Sequence, residues 1–190
     1  MDNLKYGWEV VSQNLVGWII FGIVFGCVVS FTFGLGIVLM PNALRATRKA
    51  ILADAAPEVG ELFQFDNIKE DAIVMIASSV AHSIGSMLCG VGALATLGMF
   101  FFAPYLESDG SCDASGAMRV SLEHGSKQIR VHLWELLVMI VIISVFGSVT
   151  MGLGYLVGTP VLLVAFEKYY QDSRPEIYAV AKTASLSMKE

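Results

Sequence analysis

This sequence predicts an all-α integral membrane protein, and three observations carry the prediction. Charged residues make up 15% of the 190 positions and apolar ones 55%, at a mean hydropathy of +0.66, whereas a soluble domain carries roughly 25% charge. The charges are gathered into short segments, leaving 35 residues without one between Glu9 and Arg45, 35 between Asp71 and Glu107, and 31 between Glu135 and Glu167. Each run exceeds the ~20 apolar residues that cross a bilayer once. Each run also holds a Gly-x-Gly with a proline further on: Gly34-Leu-Gly36 with Pro41, Gly90-Val-Gly92 with Pro104, and Gly152-Leu-Gly154 with Pro160.

Taken in order, the chain reads as one membrane domain over 1–190. Its apolar blocks lie at about 14–53, 72–106 and 129–170, its polar connectors at 54–71 and 107–128, and its polar tail at 171–190. Leu4, Trp8 and Val11 recur at helical spacing opposite Lys5, Glu9 and Ser12, which predicts an interfacial amphipathic helix with Trp8 and Trp18 at headgroup depth. The alternative is that this segment is only the frayed start of the first span. The first apolar run far exceeds the 7–15 residues of a signal-peptide core, so it is expected to be a retained anchor.

Within the first block, Gly22 and Gly26 stand at GxxxG spacing and offer one face for close helix packing. After Pro41, Arg45, Arg48 and Lys49 fall at i, i+3 and i+4 and share a helical face, expected to anchor on lipid phosphates. The first connector carries Leu62-Phe63-x-Phe65, an apolar patch expected to seat it on the membrane surface or on its own bundle. The second block is rich in small residues, and Ser78, Ser79, His82 and Ser86 form its candidate polar path. Positions 111–127 read as a short amphipathic helix with Gly125 as its stop. In the third block Ser144, Ser148 and Gly152 give small-xxx-small spacing, and Gly154 with Gly158 repeats GxxxG.

Two topologies fit the block lengths. Three long spans kinked at Gly and Pro would put the termini on opposite sides. Three helical hairpins, about six short segments with Gly34, Gly36, Pro41, Gly90, Gly92 and Pro160 at the turns, would put every charged segment on one side. The hairpin reading is preferred. Lys and Arg occur in all four polar segments and none lies near a Gly-x-Gly, so connectors and both termini are placed in the cytoplasm. The return arms are short for a hydrocarbon core of about 30 Å, and thinning or oligomerisation would absorb the mismatch. The repeat of Gly-Leu-Gly and Pro in blocks one and three reads as an internal duplication, with convergent use of Gly and Pro as the alternative.

Four local features together resemble a group of bacterial multi-pass proteins related to the membrane domain attached to some glycerophosphodiester phosphodiesterases. They are Gly7-Trp8 with Asn14, Leu62-Phe63-x-Phe65, Ala117-Met118-x-x-Ser121, and Gly152-Leu-Gly154 with Pro160 and Tyr169. Members usually carry an acidic residue before the Ala of the third feature, where this chain has Gly116. The resemblance implies six membrane segments with cytoplasmic connectors, in the inner membrane, and no catalytic residues.

The residues themselves point to no reaction. His82 is isolated from carboxylates in its block and is read first as a neutral, hydrogen-bonded histidine. His124, His132 and Glu135 lack the tight spacing of a metal site. No nucleophile elbow, phosphate loop or paired carboxylate occurs. A net charge of −5 without a basic run excludes a nucleic-acid partner. The three cysteines, Cys27, Cys89 and Cys112, show no CxxC pair. The expected function is therefore a non-enzymatic structural or partner-binding membrane subunit. It would need no cofactor or metal, would sit in the bilayer, and would self-associate or bind another membrane protein through its small-residue faces. A small-solute transporter or pore lined by the Ser/His face of block two is the alternative.

Overall fold

The structure, a computed structural model, describes residues 2–32, 35–87 and 91–183. Among them every regular element is helical. The α-helices are α1 (Asp2–Gln13), α2 (Leu15–Phe31), α3 (Met40–Ala53), α4 (Ile68–Ser86), α5 (Val91–Phe100), α6 (Ala103–Ser108), α7 (Ala114–Lys127), α8 (Ile129–Val149) and α9 (Leu153–Thr183), with 3₁₀ turns at Leu35–Leu39 and Val59–Phe63. The chain divides into two compact units, one of residues 1–65 and 137–171 and the other of 66–136 and 172–190, so α8 and α9 contribute to both.

In the first unit α1 is a separate helix, bent 104° from α2 at Asn14. It is therefore not the frayed start of a span. Its buried line is Gly7 and Val11, while Trp8 is 51% exposed. The line follows Gly7 because α1 crosses the backbone of α9 there: a Cβ on Gly7 would stand 2.5 Å from the Val161 carbonyl oxygen. Trp18, expected at an interface, is wholly buried with Val11, Ala50, Val161 and Val164, and Leu4, Val10, Leu15 and Ile51 pack around them.

Pro41 lies in the first turn of α3, where its missing N–H removes nothing from the hydrogen-bond ladder. Pro160 is in the body of α9, with its ring against Gly22. Neither proline stands in a turn, contrary to the expectation for both. α3 ends at Asp54 in the left-handed region, φ 51°, a conformation that Asp tolerates.

Both Gly-Leu-Gly sites of this unit share a local device. Thr150 Oγ1 accepts from the N–H of Gly154 at 2.7 Å and donates to the Phe146 carbonyl at 2.8 Å. Thr32 Oγ1 accepts from the N–H of Gly36 at 2.6 Å and donates to the Val28 carbonyl at 2.7 Å. In each case one hydroxyl joins the last turn of one helix to the first N–H groups after it, which lack helical partners of their own. Between α8 and α9, Met151 (φ 52°) and Gly152 (φ 92°) turn the chain, and Gly152 N–H returns to Gly147 O at 2.7 Å. Two of the expected turn residues, Gly34 and Gly90, lie outside the described residues.

In the second unit, α7 starts at Asp113, whose carboxylate accepts from Gly116 N–H at 2.9 Å. Glu70 adds an acceptor for Ala114 N–H at 3.2 Å. Negative groups at a helix N-terminus are favourable on both hydrogen-bonding and dipole grounds. Gly125, expected to stop this helix, lies inside it. A Cβ there would meet the Gly98 carbonyl oxygen at 2.6 Å and Met99 Cα at 2.7 Å, so glycine serves close packing. α4 and α5 approach as closely at Gly85, whose Cβ position is 2.6 Å from Gly92 O. Residues 172–183, part of the expected polar tail, are helical. They are held by Arg174 to Asp109 at 3.3 Å and by Tyr178 Oη to Ser111 Oγ at 2.7 Å.

One described helix is long and apolar enough to cross a membrane, Ile129–Val149, with a mean hydropathy of 2.1 in its most apolar window. If the bent pair α1 and α2 is taken as one span, there are two.

Candidate functional site

The polar groups form separate clusters. In the first unit the basic face of α3 meets the unit's own acids. Arg48 donates from Nε to Glu167 Oε1 at 2.7 Å and from Nη2 to Oε2 at 3.3 Å. Gln171 Nε2 also donates to Glu167 Oε1, at 2.7 Å, and the Arg48 guanidinium lies 5.8 Å from the Tyr170 ring centroid. Glu167 is only 2% exposed, so this is a forked, largely desolvated ion pair. Lys49 pairs with Glu61 at 2.7 Å. Arg45 donates to Asn42 Oδ1 at 2.6 Å, and Asn42 donates to the Leu62 and Gln64 carbonyls at 3.2 and 2.6 Å. The lipid-phosphate role expected for Arg45, Arg48 and Lys49 thus gives way to an internal one. Sequence reading missed it because Glu167 lies 119 residues from Arg48. The same contacts settle the connector: Leu62 is buried, while Phe63 and Phe65 remain exposed.

The small residues expected to pack helices divide by geometry. Gly22 faces Pro160, with its Cβ position 3.4 Å from the ring, and Gly158 faces Ile143 at 2.7 Å. Gly154 is confined by Thr150 and Phe146. Ser148 Oγ donates to the Ser144 carbonyl at 2.8 Å, which also accepts from Tyr155 Oη at 3.3 Å. For Gly152 and Gly26, no described atom lies within 4 Å of the Cβ position. Gly152 is explained by its positive φ. Gly26 faces a groove of about 540 Å³ lined by Gly22, Ile23, Cys27, Tyr155, Leu156 and Thr159 among others.

The expected polar path is not drawn together. Ser78 Oγ contacts Met118 Sδ at 3.5 Å. The Ser79 and His82 carbonyls accept from Ser83 and Ser86 hydroxyls at 2.8 Å, bonds made within α4 itself. His82 Nδ1 meets Thr96 Oγ1 at 3.3 Å on an exposed surface. Thr96 also bonds the Gly92 carbonyl at 3.0 Å.

The structure does join a pair set aside on spacing. His124 and His132 are buried, with Nε2 atoms 3.1 Å apart and ring centroids at 4.9 Å. Phe102 stands T-shaped to both rings, with centroids at 5.3 and 5.0 Å. Burial is the main cause lowering the His124 pKa from 6.5; Lys127 lowers it further and Glu176 opposes the shift. The sequence signal was available: one histidine falls in the last turn of α7 and the other in the first turn of α8. Among the described residues, no group of three or more His, Cys, Asp or Glu side chains is placed to hold a metal.

These arrangements can clamp helices and store a proton-sensitive contact. Comparison with protein-family models, with curated proteins and with solved structures finds no match to this chain. What fold and sites define is the class: a chain whose described residues are all-helical in their regular elements, with one described helix able to span a bilayer by length and composition.

Proposed function

We propose that this chain is a multi-pass, non-enzymatic subunit of the inner membrane, folded as three helical hairpins with connectors and termini in the cytoplasm. It self-associates through the open Gly26 position on the small-residue face of α2. The observation that carries the reading is the apolar surface of α8 and of its turn into α9. Val141, Ile142, Val145, Phe146, Val149, Met151 and Leu153 are all exposed, and only 22% of the most apolar window of α8 is buried. A contiguous patch beyond a few hundred Å² is rare on a water-soluble monomer, and lipid is the solvent that removes its cost. The bend between α1 and α2 supports an α1 lying along the interface, with Trp8 outward. The open Gly26 face and its groove support close approach by a second helix. The resemblance of the four local motifs to the phosphodiesterase-associated membrane domains implies six segments.

Topology is tested by labelling introduced cysteines in intact cells. Glu58→Cys and Ser115→Cys, both at exposed connector positions, would be labelled only after the membrane is opened. Native Cys112 is buried and would report poorly. Labelling of either introduced cysteine from outside overturns the hairpin topology. Self-association is tested by native mass spectrometry from nanodiscs, where Gly26→Leu should shift the wild-type oligomer to monomer. A monomeric wild type, or an oligomer indifferent to Gly26→Leu, rejects that part.

A further inference from the structure

The corner between α7 and α8 contains a single linking residue, Gln128, which donates its N–H to His124 O at 3.2 Å and accepts from Val131 and His132 N–H at 3.0 and 3.2 Å. Across this corner the two imidazoles face each other, Nε2 to Nε2 at 3.1 Å, with Phe102 T-shaped to both. A hydrogen bond between two such nitrogens needs one N–H and one lone pair. Its direction follows from the remaining nitrogen of His124, because Nδ1 is buried with no hydrogen-bond partner. A buried N–H without an acceptor costs more than a buried lone pair without a donor. His124 therefore carries its proton on Nε2 and donates, and His132 accepts.

An extra proton has no good place in this arrangement. On His132 Nε2 it would set two N–H groups head to head at 3.1 Å. On His124 Nδ1 it would create a buried charged donor without an acceptor. The charged groups whose fields reach the pair are Lys127, on α7, and Glu176, on α9, whose carboxylate is held by Gln128 Nε2 at 2.8 Å. Phe102 is apolar, and α5 approaches through the backbone of Gly98 and Met99. α7 is fixed to α5 by Ser121 Oγ donating to Met99 O at 2.9 Å, so the part free to respond is the corner itself.

We propose that His124 and His132 form a proton-operated latch between α7 and α8, closed while both imidazoles are neutral and released when either takes up a proton.

The test uses the full chain in nanodiscs with ¹⁵N-labelled histidine, titrated from pH 8 to 4.5, together with amide exchange at Gly125–Val131 corrected for intrinsic pH effects. The wild type should show His124 as the Nε2–H tautomer at pH 8. Protonation of His124 should occur below the ~6.5 of a free histidine, accompanied by at least tenfold faster exchange at the corner. The variant H124Q/H132Q keeps an amide-to-amide contact and takes up no proton in this range, so its corner exchange should be flat with pH. Protonation at the free-histidine value, exchange indifferent to protonation, or a wild-type pH response in the double variant each overturns the latch. The wild-type titration decides the matter by itself if the double variant does not fold.

Discussion

The Thr–Gly device at the two helix junctions makes a quantitative prediction that a generic turn would not. At Gly154, a methyl group would run into Thr150 Oγ1 and stand 2.9 Å from the Phe146 carbonyl oxygen. Thr150→Ala removes the hydroxyl that serves Gly154 N–H and Phe146 O, a loss comparable to an N-cap and worth about 1 kcal/mol. Gly154→Ala gains up to ~1 kcal/mol of helix propensity but displaces the hydroxyl and overpacks the junction, at roughly 1–3 kcal/mol. It should be destabilising by about 1 kcal/mol. In the double variant the collision with the hydroxyl is absent and the cap is lost only once, so its total should fall short of the sum by at least ~1 kcal/mol. Thr32→Ala and Gly36→Ala should repeat the pattern, since a Cβ on Gly36 would stand 2.8 Å from Thr32 Oγ1 and 3.0 Å from Val28 O. Reversible unfolding in mixed micelles measures the six variants and the wild type. Additivity within ~0.3 kcal/mol, or stabilisation by Gly154→Ala alone, refutes the reasoning.

Three further outcomes follow from the same geometry. Arg48→Ala would leave Glu167 buried and unpaired and should cost about 3–5 kcal/mol, while Lys49→Ala, at a pair whose lysine is 61% exposed, should cost no more than ~1 kcal/mol; equal losses in chemical unfolding would contradict the burial difference. Because the folded-state pKa of His124 lies below 6.5, the unfolded chain binds more protons there just below pH 6.5. This group's contribution to stability is complete above that value and lost as pH falls, so His124→Gln should flatten the stability–pH curve in that window. Gly7→Ala should weaken the fold by pushing α1 off the Val161 carbonyl, whereas Gly26→Ala should leave thermal stability of the isolated chain unchanged; melting curves in detergent at high dilution separate the two.

Local chemistry was legible in the sequence; long-range pairing was not. The separation of α1 from α2, a short helix within residues 111–127 and the exceptional position of the Gly-x-Gly sites all follow from spacing and composition. The face that α1 buries does not, because hydrophobicity favours Trp8 while the approach of α9 at Val161 selects Gly7. Likewise three cations on one face of α3 read as a lipid anchor until Glu167 is brought beside Arg48. His124 and His132 are eight residues apart, a separation that means nothing on one continuous helix and becomes a contact once the helix breaks at Gln128. The Gly-Leu-Gly…Pro pattern puts Pro160 at a turn, yet α9 accommodates it opposite Gly22, where no side chain competes for the space.

The two junctions also show how far the internal repeat extends. Thr32-Phe-Gly34-Leu-Gly36 and Thr150-Met-Gly152-Leu-Gly154 match at threonine and both glycines, and their hydroxyl bonds coincide. Beyond that they part: Pro41 follows Gly36 by five residues and opens a helix, while Pro160 follows Gly154 by six and lies within one. One residue of offset turns a helical position by about 100°, so the two prolines cannot play equivalent roles, and the repeat is one of the junction, not of the arms. Within the copy between α8 and α9 the weak point is Met151, held at φ 52° and 96% exposed. A left-handed conformation costs a non-glycine residue about 1 kcal/mol or more, and this side chain packs against little that would offset it. Met151→Asn, which keeps a side chain but tolerates the conformation, should raise unfolding stability by ~0.5 kcal/mol, and Met151→Gly by up to ~1 kcal/mol despite the added freedom of the unfolded chain. A loss of stability in both variants would mean that Met151 is held by contacts outside the monomer, and the strain argument at this turn would fail.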